Sequence, residues 1–556
     1  MKNTNATLNL LVLIALLSGC AKDPEPALTW HASGNGGVVA AGTSSVSAQT
    51  GIDILGKGGN AVDGAVAVIF NLAVSEYGSF NFGGEVPFMF YSTKTGKVKV
   101  FNGMGSAPKD AEAIDWYYKN GIPKDGIKAS TVPSALSTCL AALEQEGTMS
   151  FEEVIAPTLV LLDAGGKSWY PNLAGTIRKL IDTERNTTGS REQKIRAARD
   201  RFYKGDIADE LNDYYVQSGG LLRKTDLESH VTLVEEPVSV RYRGYDVYKC
   251  NTWTQGPVLL QSLKLVENYD LRSMKFFSTD YIHVVTEAMK LAFADRDKYY
   301  GDPAFVSVPL DQMLSDRYAR IRFPLIDLHS ASHAIRPGDP YRMTATSGPG
   351  QYWPGEHGTT TCVVADKWGN VVAATPSANP EYGVCERLGV AHNTRLSSLN
   401  TQTGHPNSLE PGKRPRITLT PTIVLKDGKP VLAISVSGGD VQDQVALQLV
   451  LDFVEFEMVP KDAISAPRFI ISHFESSFEP SPDPASRVLS LGTLNIDSTG
   501  RSTVEELTGY GHQVSSTEKN YKRGYPAMIY LDHEAGIAYA AGEPSVRYCA
   551  ALDISD

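Results

Sequence analysis

From Thr359 to the C-terminus the chain repeatedly sets apolar runs against tight polar turns, and that pattern commits it to antiparallel sheet. TTTCVVADKWGNVVAATPS reads strand, turn, strand, with Asp366 to Asn370 as the turn. PTIVLKDGKPVLAISVSGG repeats the pattern around Asp427-Gly428, and AMIYLDHEAGIAYAAG is a third hairpin. QDQVALQLVLDFVEF follows the second hairpin as an amphipathic helix. In the N-terminal part, GGVVAAG is a short strand, and PFMFYSTKTGKVKVFNG is a hairpin turning at Lys94-Thr95-Gly96. Thr43 or Ser44 can cap a helix through Leu55, which GKGG stops. Ala61 to Val74 is apolar nearly all round and is expected to be a buried helix. Helical patterns dominate from about 130 to 330. Two groups of strands flanked by helices make an α/β or α+β protein.

The chain has 556 residues, 42% hydrophobic and 21% charged. That excludes disorder, collagen-like structure and a disulfide mini-scaffold. The formal charge is −11 and no basic block is present, so nucleic acid is not an expected partner.

Lys2 precedes a short apolar run, Leu8 to Leu17, interrupted only by Asn9. Ten helical residues rise about 15 Å, half of a bilayer core, so the run suits a signal peptide rather than a stable span. It ends in Leu17-Ser18-Gly19-Cys20, which resembles a bacterial lipobox. The expectation is a signal peptide over 1–19, lipidation at Cys20 and a polar tether over 20–36. The product would be an exported, membrane-anchored lipoprotein on the periplasmic side. Ala21, by resemblance to enterobacterial sorting, favours the outer membrane. The other reading is a plain signal peptide that contains a Cys.

The remaining cysteines, Cys139, Cys250, Cys362, Cys385 and Cys549, form no CxxC pair, and buried inert thiols are expected for most of them. His283, His357, His392 and His405 lack metal-ligand spacing, and no Gly pattern matches a phosphate loop, so neither metal nor cofactor is implied.

The stretch Thr346 to Gly358, TSGPGQYWPGEHG, is the clearest surface loop in the chain, and a strand begins directly after it. This is the arrangement an N-terminal-nucleophile hydrolase needs. The Thr359 hydroxyl can attack the carbonyl of Gly358, an N-to-O acyl shift gives an ester, and water cleaves it. The new α-amine has a pKa of about 7.7–8.0 and can serve as base for the same hydroxyl. On these residues alone, a Thr opening an ordinary strand after Gly is the commoner case.

Larger blocks carry a resemblance. GIDILGKGGNAVDGAVA, EAMKLAFADRDKYYGDP, TTTCVVADKWGN, GHPNSLEPGKRPRITLTPTIVLKDGKP, SGGD and APRF occur in this order. Together they are similar to the γ-glutamyltranspeptidase family, also called glutathione hydrolase proenzymes. The resemblance implies a four-layer αββα sandwich and self-cleavage into a large subunit (37–358) and a small one (359–556). It makes Thr359 the nucleophile, followed by Thr360 and Thr361 as strand residues. It places a second hydroxyl at Ser377, a substrate contact at Asn379 and the oxyanion hole at Gly438 and Gly439. The implied partners are a small-molecule amide substrate and the two subunits of one precursor.

The departures concern the glutamate. Met104 stands where the family has an Arg for the α-carboxylate, and a thioether cannot pair with carboxylate as a guanidinium does. The paired serines become Ile417 and Thr418, so Thr418 alone keeps a hydroxyl. The acidic motif for the α-amine becomes Asn393-Thr394-Arg395-Leu396-Ser397-Ser398, and the Gly-rich stretch before PFMFY becomes FGGEVP. Arg395 either binds a carboxylate from another direction or is a surface or structural residue. Three readings follow: a γ-glutamyl hydrolase or acyltransferase, a related amidase or acylase without γ-glutamyl specificity, or a catalytically dead binding lipoprotein.

Overall fold

The computed structural model describes residues 29–346, 359–378, 382–478, 490–498, 500–517, 524–544 and 546–554. Two seven-stranded antiparallel sheets dominate it. The first runs β1 (His31–Gly34), β18 (Ile537–Gly542), β17 (Tyr525–Asp532), β13 (Lys429–Ser437), β12 (Thr422–Lys426), β7 (Tyr245–Lys249), β6 (Val238–Tyr242). The second runs β19 (Tyr548–Leu552), β2 (Gly37–Ala41), β8 (Cys362–Asp366), β9 (Val371–Ala374), β3 (Phe88–Ser92), β4 (Lys97–Asn102), β5 (Leu233–Glu235). Smaller sheets pair β10 (Tyr382–Cys385) with β11 (Val390–His392), and β14 (Phe469–Ile471) with β15 (Thr493–Asp497) and β16 (Gln513–Thr517).

Period-2 alternation gives each large sheet two apolar faces. Val38, Ala40, Val363 and Ala365 of one sheet join Ile423, Ala433 and Ile529 of the other in an apolar cluster between them. The alternate residues Val39, Ala41 and Val364 join a second cluster with the helices Ser45–Gly56, Ala61–Ser75 and Ala135–Glu146. Val424, Leu432 and Ile434 join a third with Pro257–Val266, Thr279–Tyr299 and Gln442–Phe456. The result is helix, sheet, sheet, helix, the four-layer αββα sandwich.

Local chemistry fixes the strand that follows Thr359. In the β8–β9 turn, Asp366 Oδ1 accepts from the Trp368 and Asn370 amides at 2.9 Å each. Its other oxygen accepts from the Ala61 amide at 2.9 Å, at the start of the buried helix Ala61–Ser75. The Asp366 carboxylate thus completes a turn and meets the positive end of a helix dipole. The β12–β13 turn places Asp427 and Gly428 at φ 50° and 76°, the left-handed pair that a type I′ hairpin demands.

Three expectations need correction. The tether ends early, because His31–Gly34 pairs with Ile537–Gly542 as an edge strand. The pairing uses backbone groups, so the polar sequence did not oppose it. The mainly helical stretch from 130 to 330 also contributes β5, β6 and β7. Thr360 and Thr361 lie just ahead of β8 rather than within it, although both are fully buried. All five described cysteines are buried and unbridged. Among the described residues no helix is long and apolar enough to cross a membrane. Cys20 lies outside the described residues.

Candidate active site

Thr359 opens the segment that becomes β8, half-buried, with the adjoining Thr360 amide donating to the Pro376 carbonyl at 2.9 Å. That backbone bond lays residues 359–361 against the end of β9. It brings the Thr359 hydroxyl within 3.4 Å of Ser377 Oγ, to which it donates. Ser377 is itself held by a two-way backbone bridge with Glu85: the Glu85 amide donates to its carbonyl at 2.8 Å, and its amide donates to the Glu85 carbonyl at 3.0 Å. The close packing around this bridge needs the two glycines before Glu85. A Cβ on Gly84 would lie 2.4 Å from the Ser377 carbonyl oxygen, and one on Gly83 would lie 1.9 Å from that of Ala391.

Gly438 and Gly439 lie between β13 and the helix Gln442–Phe456, with φ of 134° and 63°. Both values belong to the region glycine alone enters freely. The next residue clamps this turn. Asp440 Oδ1 accepts from Arg296 Nη1 and Ser477 Oγ at 2.6 Å each, and its Oδ2 accepts from the Ser477 amide at 3.0 Å. Arg296 also donates from Nε to Asp297 at 2.7 Å and from Nη2 to the Glu475 carbonyl at 2.5 Å. A buried guanidinium thus fixes both the glycine turn and the segment 475–478. Phe478 closes the arrangement, 3.1 Å from where a Gly439 Cβ would stand and 5.5 Å beneath the Arg395 guanidinium.

Arg395 is a buried residue, which removes the surface reading. It donates from Nη2 to Ser377 Oγ at 2.7 Å and from Nε to Glu85 Oε1 at 2.6 Å. Burial pushes the Glu85 carboxyl up to about 7, against the opposing charge of Arg395. Thr359, Ser377, Arg395, Phe478 and Gly439 therefore form one continuous chain of contacts. Thr418 is buried, and its hydroxyl has no partner among the described residues. Gly358 and Asn379 lie outside the described residues.

A profile of the γ-glutamyltranspeptidase family matches residues 47–192 and 162–551. The chain belongs to the γ-glutamyltranspeptidase family. The glutathione hydrolase proenzyme of Bacillus subtilis (strain 168) is 29% identical, over 100% of this chain and 99% of its own. That of Escherichia coli (strain K12) is 31% identical, over 83% of this chain and 87% of its own. The solved cephalosporin acylase from Bacillus halodurans superposes with a TM-score of 0.79 at 25% identity, covering 97% of this chain and 100% of that one.

Within the γ-glutamyltranspeptidase family frame, the divergent positions are not empty. Met104 and Ile417 are fully buried and share the inter-sheet apolar cluster with Trp253. An apolar core thus fills positions where the family resemblance calls for carboxylate-binding side chains. The sequence also noted FGGEVP and NTRLSS as separate departures, whereas Glu85 and Arg395 are partners. Sequence reasoning misses Glu85, Asp440, Arg296 and Ser477, because the contacts that tie them to the site, Glu85 with Arg395 and Asp440 with Arg296 and Ser477, span long sequence separations. The one local signal was a carboxylate directly after a Gly-Gly pair. His283 and His512 share a hydrogen bond at 2.8 Å, His392 bonds Tyr215 and the Gly383 carbonyl, and His405 bonds Asn400 and Asn407. His357 lies outside the described residues. Among the described residues no cluster of metal-ligating side chains is present.

Gly439→Ala adds a methyl at a left-handed position against Phe478. We expect it to lower kcat/KM at least about tenfold, below the loss for removing an oxyanion donor outright, with a change in thermal midpoint of only a few degrees. Unchanged turnover would show that the turn does not face the reacting carbonyl.

Proposed function

We propose that the protein is an autoprocessing threonine amidohydrolase whose acyl pocket has moved away from the γ-glutamyl group. The observation that supports it best is the Thr359 hydroxyl, at the head of a buried strand, bonded to a Ser377 that other groups hold fixed. In this reading Thr359 Oγ1 attacks the Gly358 carbonyl, and the nitrogen leaves as the new α-amine. Water then hydrolyses the ester. In turnover that amine takes the hydroxyl proton, Thr359 carries the acyl group, and the Gly438 and Gly439 amides receive the developing oxyanion. Substrate binding by Asn379, Thr418 and Arg395 belongs to the same proposal.

The acyl donor is argued from the filled pocket. A γ-glutamyl group brings an α-carboxylate and an α-ammonium, and Met104 and Ile417 offer neither a partner. A hydrogen bond to a charged group is worth about 1.5–3 kcal/mol. At about 1.36 kcal/mol per decade, losing two costs about a hundredfold or more in kcat/KM. A hydrolase of small amides lacking one of those charges fits better. The similarity to the Bacillus halodurans cephalosporin acylase is compatible with this side of the family.

Three experiments test the proposal. Purified protein is expected to separate into pieces spanning residues 20–358 and 359–556, the smaller beginning TTTCVV on Edman sequencing. Thr359→Ala is expected to stay whole, and Thr359→Ser to cut at a changed rate. An intact, active wild type would overturn the mechanism. Second, a glutaryl anilide is expected to be used better than the γ-glutamyl anilide with the same leaving group; a strong γ-glutamyl preference would refute the pocket. Third, we propose that Cys20 is the lipid attachment site that anchors an exported protein. Cys20→Ser is then expected to shift the protein from the membrane to the soluble fraction, and identical fractionation with no acyl mass would refute it.

A further inference from the structure

Glu85 and Arg395 form a fully buried ion pair that leaves one atom of each partner unsatisfied. Arg395 Nε reaches Glu85 Oε1 and Nη2 reaches Ser377 Oγ, yet buried Nη1 has no acceptor among the described residues. Glu85 Oε2 is likewise buried without a donor. Most buried polar atoms of native proteins have a partner, and an unpaired one calls for an explanation, a functional role or a bound ion among them. The location is informative. Nη1 shares a rigid plane with the nitrogen that holds Ser377, and Ser377 touches the Thr359 hydroxyl. Phe478, stacked under the same guanidinium, also abuts Gly439. The guanidinium that carries the open donor is thus one side chain, Ser377, removed from the Thr359 hydroxyl.

The charges then set a condition on the occupant. Arg395 is the charged group that acts on Glu85, while Ser377 meets it through backbone and Gly83 and Gly84 bring no charge. The pair alone is neutral. An anion arriving at Nη1 would put two negative charges beside one positive charge between fully buried side chains, where screening is weak. A proton resolves the conflict, and Glu85 Oε2 is the atom able to carry it.

Resting on the Thr359 reading above, we propose that Glu85 and Arg395 act together as a proton-linked carboxylate subsite: Arg395 Nη1 takes a terminal carboxylate of the acyl donor, and Glu85 gains one proton from solvent as it binds. The protonated Oε2 then donates to the second oxygen of that carboxylate, so both open atoms are satisfied. Glu85 becomes a specificity-determining residue. The near-neutral ionisation of its buried carboxyl places the uptake within the range where the enzyme can be assayed.

The test compares two anilides with the same leaving group, glutaryl and uncharged butyryl, from pH 5.5 to 9. The α-amine of Thr359 affects both alike, so it cancels in the ratio of their kcat/KM values. In wild type the ratio is expected to be level at low pH and to fall about tenfold per unit above roughly pH 7. In Glu85→Gln it is expected to be level throughout and higher than wild type at pH 9. Arg395→Met is expected to lose the glutaryl advantage at every pH. A wild-type ratio independent of pH, or the same slope in Glu85→Gln, would overturn the proposal. If neither anilide is turned over, calorimetry of glutarate in two buffers at pH 8 decides: uptake near one proton supports the subsite, and binding without uptake or no binding refutes it. N-terminal sequencing of the same samples reports separately whether the cut before Thr359 has occurred.

Discussion

The face-to-face packing of the two large sheets is the constraint on which the rest of the molecule depends. Their shared apolar layer draws residues from β2, β3, β4, β8 and β9 on one side and from β12, β13, β17 and β18 on the other. Once those faces meet, the ends of β9 and β13 come together, and Thr375 and Ser435 exchange a hydroxyl hydrogen bond at 2.9 Å between the sheets. The candidate site lies at this rim. Thr359 leads into a strand of one sheet and the Gly438–Gly439 turn follows a strand of the other, so the contacts that link them through Ser377, Arg395 and Phe478 depend on the packing and not on either sheet alone. Removal of apolar area from water drives that packing, at about 25 cal/mol per Å².

Around the rim the protein spends charge rather than apolar surface. Arg296 is wholly buried and anchors Asp297, Asp440 and the Glu475 carbonyl. Taking ions out of water is expensive, and removing one partner of such a set costs about 3–5 kcal/mol. What the arrangement supplies is geometric definition: a turn of two glycines has little conformational preference of its own, and the Asp440 carboxylate imposes one. The Glu85–Arg395 pair differs in kind. Arg296 has acceptors on every side, whereas Arg395 and Glu85 each keep an unsatisfied atom.

Elements with local causes were legible in the sequence. Four hairpins were placed by their turn residues. The helix Gln442–Phe456 was bounded by its apolar period, and the cap at Ser44 by its side-chain chemistry. What escaped was non-local. Nothing near His31 announces that it will pair with Ala541, since an edge strand contributes only backbone groups. Met104 and Ile417 carry no group that pairs with a carboxylate, but the sequence could not say that both enter the core beside Trp253. Arg395 was legible as a charge in an unexpected place. Its partner was not, because a residue 310 positions away leaves no trace in local pattern.

The strand order also bears on what a cut chain would be. β8 and β9 sit between β2 and β3, while β12, β13, β17 and β18 sit between β1 and β7. Residues from either side of position 358 therefore alternate within both sheets, each half supplying neighbours that the other half lacks. Breaking the chain there would change its connectivity but sever none of the interstrand ladders. Two polypeptides would remain woven into one cooperative unit. Heating would expose the difference: an uncut chain refolds at a rate independent of concentration, whereas two melted halves would first have to meet by diffusion. Dilution would then turn reversible unfolding into permanent loss.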